Sequence, residues 1–213
     1  MYRLIIGNKN YSSWSLRPWL LMQHLGIPFR EERLALDTPD FQRQVSTYSG
    51  AGRVPVLVND DQVIWDSLAI CETLAEQFPN AWPKDPVARS HARAIVAEMH
   101  AGFGALRSEL PMNCRAVERV VVLEPSVEAD IRRIETIWRE CLERYQGPWL
   151  FGAFSIADAF YAPVVLRFRG YRLPLAARTR DYMATQFESP HLQAWIAAGA
   201  AEAEVIPHEE VGD

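Results

Sequence analysis

The chain has 213 residues, of which 49% are apolar and 23% charged, with a formal net charge of -5. That length suits one large domain or two small ones, and the composition is that of an ordinary globular protein. The acidic balance excludes a general nucleic-acid footprint, and no apolar run approaches the roughly 20 residues that span a membrane.

The N-terminal stretch from Met1 to Gly7 runs straight into a strand and lacks a signal peptide's apolar core, so the expected location is cytoplasmic. Cys71, Cys114 and Cys141 are odd in number and widely spaced, which argues against a disulfide framework. The histidines have no metal-ligand spacing, so no metal is expected.

The first eighty residues alternate strand and helix patterns. Leu4 to Gly7 reads as a strand, and Leu16 to Leu25 as a helix that Gly26 and Pro28 end. Phe29 to Leu36 is a second strand, and Thr38-Pro39 opens a short helix through Tyr48. Two β-rich runs follow, Val54 to Val58 and Gln62 to Trp65, with a polar turn between them. Asp66-Ser67 then precedes an amphipathic helix ending near Phe78. A strand-helix-strand unit, a helix and a strand-strand-helix unit make one mixed sheet with helices on its faces.

Residues 79–86 contain prolines at 79, 83 and 86 and break every period, which marks a linker. Beyond it every pattern is helical. Ala88, Ala92, Ile95, Met99, Phe103, Leu106 and Leu110 hold one face for about six turns. Ser126 is placed to cap a long helix that Gly147-Pro148 stops. Ser155 and Asp158 form a capping-box pattern before an apolar helix carrying Pro163. Two shorter helices follow, and the polar tail from Glu204 is expected to fray. The expected domains are residues 1–78 and 87–213.

Three features carry chemistry. Tyr11-Ser12-Ser13-Trp14-Ser15-Leu16-Arg17 puts serine hydroxyls at a helix N-terminus, where unpaired N–H groups and the macrodipole favour an anion. The plain reading of these serines is an N-cap. Val54-Pro55 begins a strand; a cis bond there leaves the Val54 backbone free to pair with an extended peptide, and a trans edge-strand proline is the plain alternative. Asp66-Ser67 is either a simple cap or a pair of groups that hold an ammonium and a carboxylate.

In this order and spacing the chain resembles the cytosolic glutathione transferases along its whole length. The resemblance rests on Tyr11 to Arg17, Arg53-Val54-Pro55-Val56-Leu57, Asp66-Ser67-Leu68-Ala69-Ile70 and Phe151 to Asp158. It implies a thioredoxin-like N-terminal domain followed by an all-helical C-terminal domain. It also implies glutathione as co-substrate, paired with the Val54 backbone beside a cis Pro55. Asp66 and Ser67 would hold its γ-glutamyl end and Arg53 its glycyl carboxylate, while the segment from Ser155 to Asp158 has a structural role. A serine hydroxyl would stabilise the thiolate for attack on a small hydrophobic electrophile, a detoxification chemistry.

The motif is nearest the serine-type, bacterial-like zeta class, in which an arginine stands five positions after the first serine. Ser12 has that relation to Arg17, so Ser12 is the first choice of donor, Ser13 the second and Tyr11 the third. Trp14 stands where the zeta class has cysteine, which weakens an isomerase reading. The alternatives are a zeta-like isomerase, a glutathione-dependent peroxidase, or a non-catalytic protein-binding module on the same fold. Trp14 and Trp19 are expected to pack on the second domain, and Met99 to Arg107 with Met112 to supply the second-substrate wall. A homodimer is expected by resemblance.

Overall fold

The computed structural model describes residues 1–213. A four-stranded sheet is built from β1 (Tyr2–Ile6), β2 (Phe29–Arg33), β3 (Val56–Asn59) and β4 (Gln62–Trp65), in the order β2-β1-β3-β4. β1 and β2 run parallel, joined by the helix α1 (Ser13–His24); β3 is antiparallel to β1, and β4 to β3. α2 (Phe41–Ser46) and α3 (Ser67–Gln77) complete a thioredoxin-like unit.

Strand alternation sorts the core. Leu4, Ile6 and Leu57 face the α1 and α3 side, together with Leu16, Leu20, Ile70 and Leu74. Ile5, Val56 and Val58 point the other way, onto Leu34 and Val45 of the α2 side. The larger of these clusters continues without a break into the helical half. Trp19 of α1 meets Trp195 edge-on at 5.1 Å between ring centroids.

After a single 3₁₀ turn at Pro79–Ala81, the chain is helical: α4 (Pro86–Ala101), α5 (Gly104–Glu109), α6 (Pro125–Tyr145), α7 (Ile156–Gly170), α8 (Ala177–Glu188) and α9 (Pro190–Ala200). The six-turn helix expected from Ala88 to Leu110 is in fact two. Gly102 is extended, and Phe103 adopts a left-handed φ of 58°. A Cβ at Gly102 would lie 2.8 Å from the Glu98 carbonyl oxygen, so only glycine fits the break. The stripe survives because Phe103 and Leu106 remain buried across it. The cap of α6 is Glu124 with Pro125 in the first turn, which puts Ser126 inside the helix. No helix is long and apolar enough to cross a membrane.

The tail does not fray. Ile206 is buried, and Val120 and Asp213 exchange backbone hydrogen bonds at 2.9 and 3.4 Å. Glu210 pairs with Arg115 at 3.3 Å and Arg119 at 2.6 Å. Burial works to raise the Glu210 pKa, but hydrogen bonds from Tyr11 and Arg119 outweigh it and hold it at about 2.

α7 is buried nearly all round and starts in the expected capping box. Asp158 accepts from the Ser155 N–H at 2.9 Å, the Leu150 N–H at 3.0 Å and the Tyr182 hydroxyl at 3.0 Å. Those bonds favour its charged form, yet complete burial outweighs them and raises its pKa from 3.8 to about 6. The stability contributed by the raised pKa is therefore full below the ordinary carboxylate value and lost as pH rises through about 6. In denaturant titrations from pH ~4 to ~7, wild-type unfolding free energy should fall relative to that of Asp158→Asn. Parallel pH profiles for the two proteins would contradict this.

Candidate functional site

The loop between β1 and α1 is fixed before the serines begin. Gly7 donates its N–H to Ser15 Oγ at 3.1 Å, and a Cβ there would collide with the Leu36 side chain at 2.8 Å. Asn8 accepts from the Leu36 N–H at 2.7 Å. Lys9 and Asn10 donate their N–H groups to the Glu202 carboxylate at 2.8 and 3.0 Å, and the Asn10 carbonyl accepts from Cys114 N–H at 3.2 Å. Gly199 of α9 closes the contact: a Cβ there would sit 2.9 Å from the Asn10 nitrogen.

Ser12 then takes the N-cap position of α1, but its hydroxyl makes no capping bond. Instead its Oγ lies 2.7 Å from Ser15 Oγ. Either hydroxyl can donate across that pair. If Ser15 donates, the proton of Ser12 is left for a ligand. The Trp14 and Ser15 N–H groups donate to nothing in the chain. Ser12, Ser13, Tyr11, Trp14, Arg53 and Val54 line a cleft of about 390 Å³.

Tyr11 is committed elsewhere. Its hydroxyl donates to Glu210 at 2.6 Å and accepts from Arg115 and from the Ile206 N–H. Burial and Glu210 together raise its pKa. Of the other hydroxyls at this helix start, Ser12 bonds only to Ser15, which also accepts from the Gly7 N–H, and Ser13 bonds to nothing in the chain.

A second cleft of about 500 Å³ adjoins the first, sharing Trp14, Arg53 and Val54 with it. Pro55, Asp66 and Ser67 line it too, so all five residues expected to hold the ligand meet there. The Val54–Pro55 bond is cis, and neither the N–H nor the C=O of Val54 is hydrogen-bonded within the chain. Asp66 caps α3 through one oxygen, accepting from Leu68 and Ala69 N–H at 2.8 and 3.2 Å. It does so at a φ of 74°, a left-handed conformation costing a non-glycine residue of order 1–3 kcal/mol. Ser67 is buried, and its Oγ has no partner.

Trp65, which sequence reasoning did not single out, lines this second cleft, as does His100 from the expected wall of Met99 to Arg107. His100 Nε2 lies 3.3 Å from the free oxygen of Asp66. Its pKa is lowered, first by burial and then by the nearby Arg17 and Arg107, with Asp66 opposing. Trp14 meets the second half of the chain, as expected, at 5.3 Å from the His100 ring and 4.6 Å from the Arg107 guanidinium. It lines both clefts as well. Met99 and Met112 belong to the core; within the expected wall from Met99 to Arg107, the residues that line the clefts are His100 and Arg107.

Comparison with known proteins agrees with this architecture. Residues 11–77 match the family described as glutathione S-transferase, N-terminal domain, and residues 89–198 match glutathione S-transferase, C-terminal domain. The chain is 27% identical over 189 residues to Protein IN2-1 of Zea mays, covering 87% of this chain and 72% of that protein. It is 34% identical over 98 residues to the probable maleylacetoacetate isomerase of Caenorhabditis elegans, a match spanning 45% of this chain and 45% of the relative. Among solved structures, a bacterial zeta-class maleyl pyruvate isomerase shares the fold at a TM-score of 0.72 and 20% identity, covering 96% of this chain and 100% of that one. Because both halves of the chain match in order, the protein belongs to the glutathione S-transferase family.

Proposed function

We propose that the protein is a serine-type glutathione transferase, nearest in motif to the zeta class, that binds glutathione across the two adjoining clefts. The observation that carries this is the unpaired Val54 backbone beside a cis Pro55, lying between Asp66-Ser67 and the serine-bearing start of α1. An extended tripeptide needs that arrangement: a backbone edge for its middle residue and separate polar ends for its termini.

In this reading the buried Ser67 hydroxyl and the α3 N-terminus receive the γ-glutamyl carboxylate, and the free oxygen of Asp66 receives its ammonium. Val54 pairs with the cysteinyl backbone. Arg53, on the shared wall, meets the glycyl carboxylate. The cysteinyl sulfur then points toward Ser12, with Ser13 as the second choice.

A free thiol has a pKa of about 8.5 and is mostly protonated near neutrality. A donated Ser12 hydrogen bond and the free N–H groups at the α1 N-terminus favour the thiolate. The thiolate attacks an electrophilic carbon, a C–S bond forms, and the leaving group departs with its electron pair. The zeta-like isomerase remains the second reading, supported by the names of two relatives.

Two outcomes check the assignment. Asp66→Ala should lose retention on immobilised glutathione while keeping its far-ultraviolet circular dichroism, at a stability cost of about 1 kcal/mol for the lost cap. Retention equal to wild type would remove Asp66 from the site. Ser12→Ala should lower kcat by roughly 10–100-fold with glutathione affinity little changed, since one charge-assisted hydrogen bond is worth about 1.5–3 kcal/mol. A full-rate Ser12→Ala beside an inactive Ser13→Ala would transfer the role to Ser13.

A further inference from the structure

The tail of the chain reaches the residue before Ser12 through one carboxylate. Tyr11 is buried and lines the serine cleft. Its hydroxyl donates to Glu210 Oε1 at 2.6 Å, the short bond of a hydroxyl to an ionised carboxylate. The same oxygen accepts from Arg115 and from the Ile206 N–H at 3.2 Å. A phenol has one proton to donate, and here that proton goes to the tail.

The backbone that carries Tyr11 is held by other groups. Lys9 and Asn10 donate to Glu202, the Asn10 carbonyl accepts from Cys114, and the Tyr11 and Ser12 N–H groups donate to the Asn8 carbonyl at 3.2 and 2.8 Å. The tail likewise has anchors besides Glu210. Ile206 is buried, Arg119 donates to the Val211 carbonyl at 3.2 Å, and Val120 pairs with Asp213. Arg115 is fixed by the Glu202 and Glu204 carbonyls at 2.9 and 3.1 Å. Removing the Glu210 carboxylate therefore leaves the loop, the tail and Arg115 anchored. The Tyr11 oxygen stays held, and its proton loses its acceptor.

Such a phenol competes well for a thiolate. It is a stronger acid than an aliphatic hydroxyl, with an ordinary pKa of about 10, and a bond from it to an anion is charge-assisted. The Arg115 guanidinium, 5.5 Å from the Tyr11 ring centroid, adds positive charge beside it. Tyr11 and Ser12 thus border one cleft, and Glu210 engages the first of them. We propose that Glu210 is a positioning residue that selects the hydrogen-bond donor to the thiol: by taking the Tyr11 proton it leaves that role to Ser12, and without it Tyr11 shares the role. This inference rests on the glutathione-transfer reading and places its donor under the control of the tail.

Turnover of glutathione with chlorodinitrobenzene tests this. In that reaction the thiolate attacks the chlorine-bearing carbon, the C–S bond forms, the C–Cl bond breaks and chloride carries off the electron pair. Ser12→Ala should lower kcat by roughly 10–100-fold in the wild-type background and by about threefold or less in Glu210→Ala. Adding Tyr11→Phe to the Glu210→Ala, Ser12→Ala protein should bring back the full loss. Glu210→Gln keeps one acceptor oxygen for two donors, Tyr11 and Arg119, and should lie between wild type and Glu210→Ala. It carries the test if the alanine variant does not fold. A readout without turnover is the ionisation of Tyr11, taken as the phenolate absorbance of each protein minus that of its Tyr11→Phe counterpart. It should move to lower pH in both Glu210 variants, because Glu210 helps to hold it up.

An equal Ser12→Ala factor in the wild-type and Glu210 backgrounds would overturn the proposal and leave Glu210 a structural anchor. So would a Tyr11 ionisation that does not move. Those outcomes with glutathione bound normally remove this inference alone. Failure of the wild-type protein to bind glutathione in calorimetry would remove the transferase reading, and the donor role with it.

Discussion

One carboxylate near the end of the chain holds the loop that delivers the serines. Glu202 accepts the N–H groups of Lys9 and Asn10, two donors that neither β1 nor α1 can satisfy. Buried backbone donors left unpaired cost free energy comparable to a lost hydrogen bond, so this contact decides whether the loop can be buried at all. Cys114 and Arg115 close the other side, bonding the Asn10 carbonyl and side chain, and Gly199 permits the backbones to approach. The start of α1 is thus set by residues up to two hundred positions away. The serine cleft, the tail and the helical half form a single mechanical unit.

That unit places unlike demands side by side. The sheet and α3 present groups that want a ligand with two charged ends: a free Val54 backbone edge, a buried hydroxyl at Ser67 and an open carboxylate oxygen at Asp66. The helical half presents Arg107 and Arg167 to the serine cleft together with Glu209, and Arg107 Nε is buried without a hydrogen-bond partner. Trp14 stands between the two, touching cations on both sides. Polar groups buried without partners are the usual mark of a site that is completed by what binds there, because the fold alone gains nothing from them.

Much of the fold was legible because its signals are local. Gly26 ends α1 at a φ of 64°, and the turn between β3 and β4 and the capping box of Ser155 and Asp158 stand where the residue types place them. The break at Gly102 was hidden because the apolar stripe runs through it; the obstruction is a backbone carbonyl one turn away, which side-chain periodicity does not register. The docked tail was hidden for a different reason. Its anchors, Glu202 and Glu210, read as solvated charge until Arg115, Arg119 and Tyr11 come together beside them.

The residues of the candidate site divide in the same way. Ser12, Val54-Pro55 and Asp66-Ser67 lie in short motifs whose spacing is visible along the chain. His100, Arg107 and Arg167 come from α4, α5 and α7 and meet only in three dimensions. Nothing in their flanking residues sets them apart from solvent-facing charge; what marks them is burial, with His100 Nδ1 and Arg107 Nε left without partners. On the proposed reading the site receives the sulfur of glutathione, and spectrophotometric titration of thiolate absorbance for glutathione bound to the wild-type protein tests this most directly. The bound thiol should ionise at least one pH unit below the free value of about 8.5. A bound thiol that ionises at the free value would contradict the account.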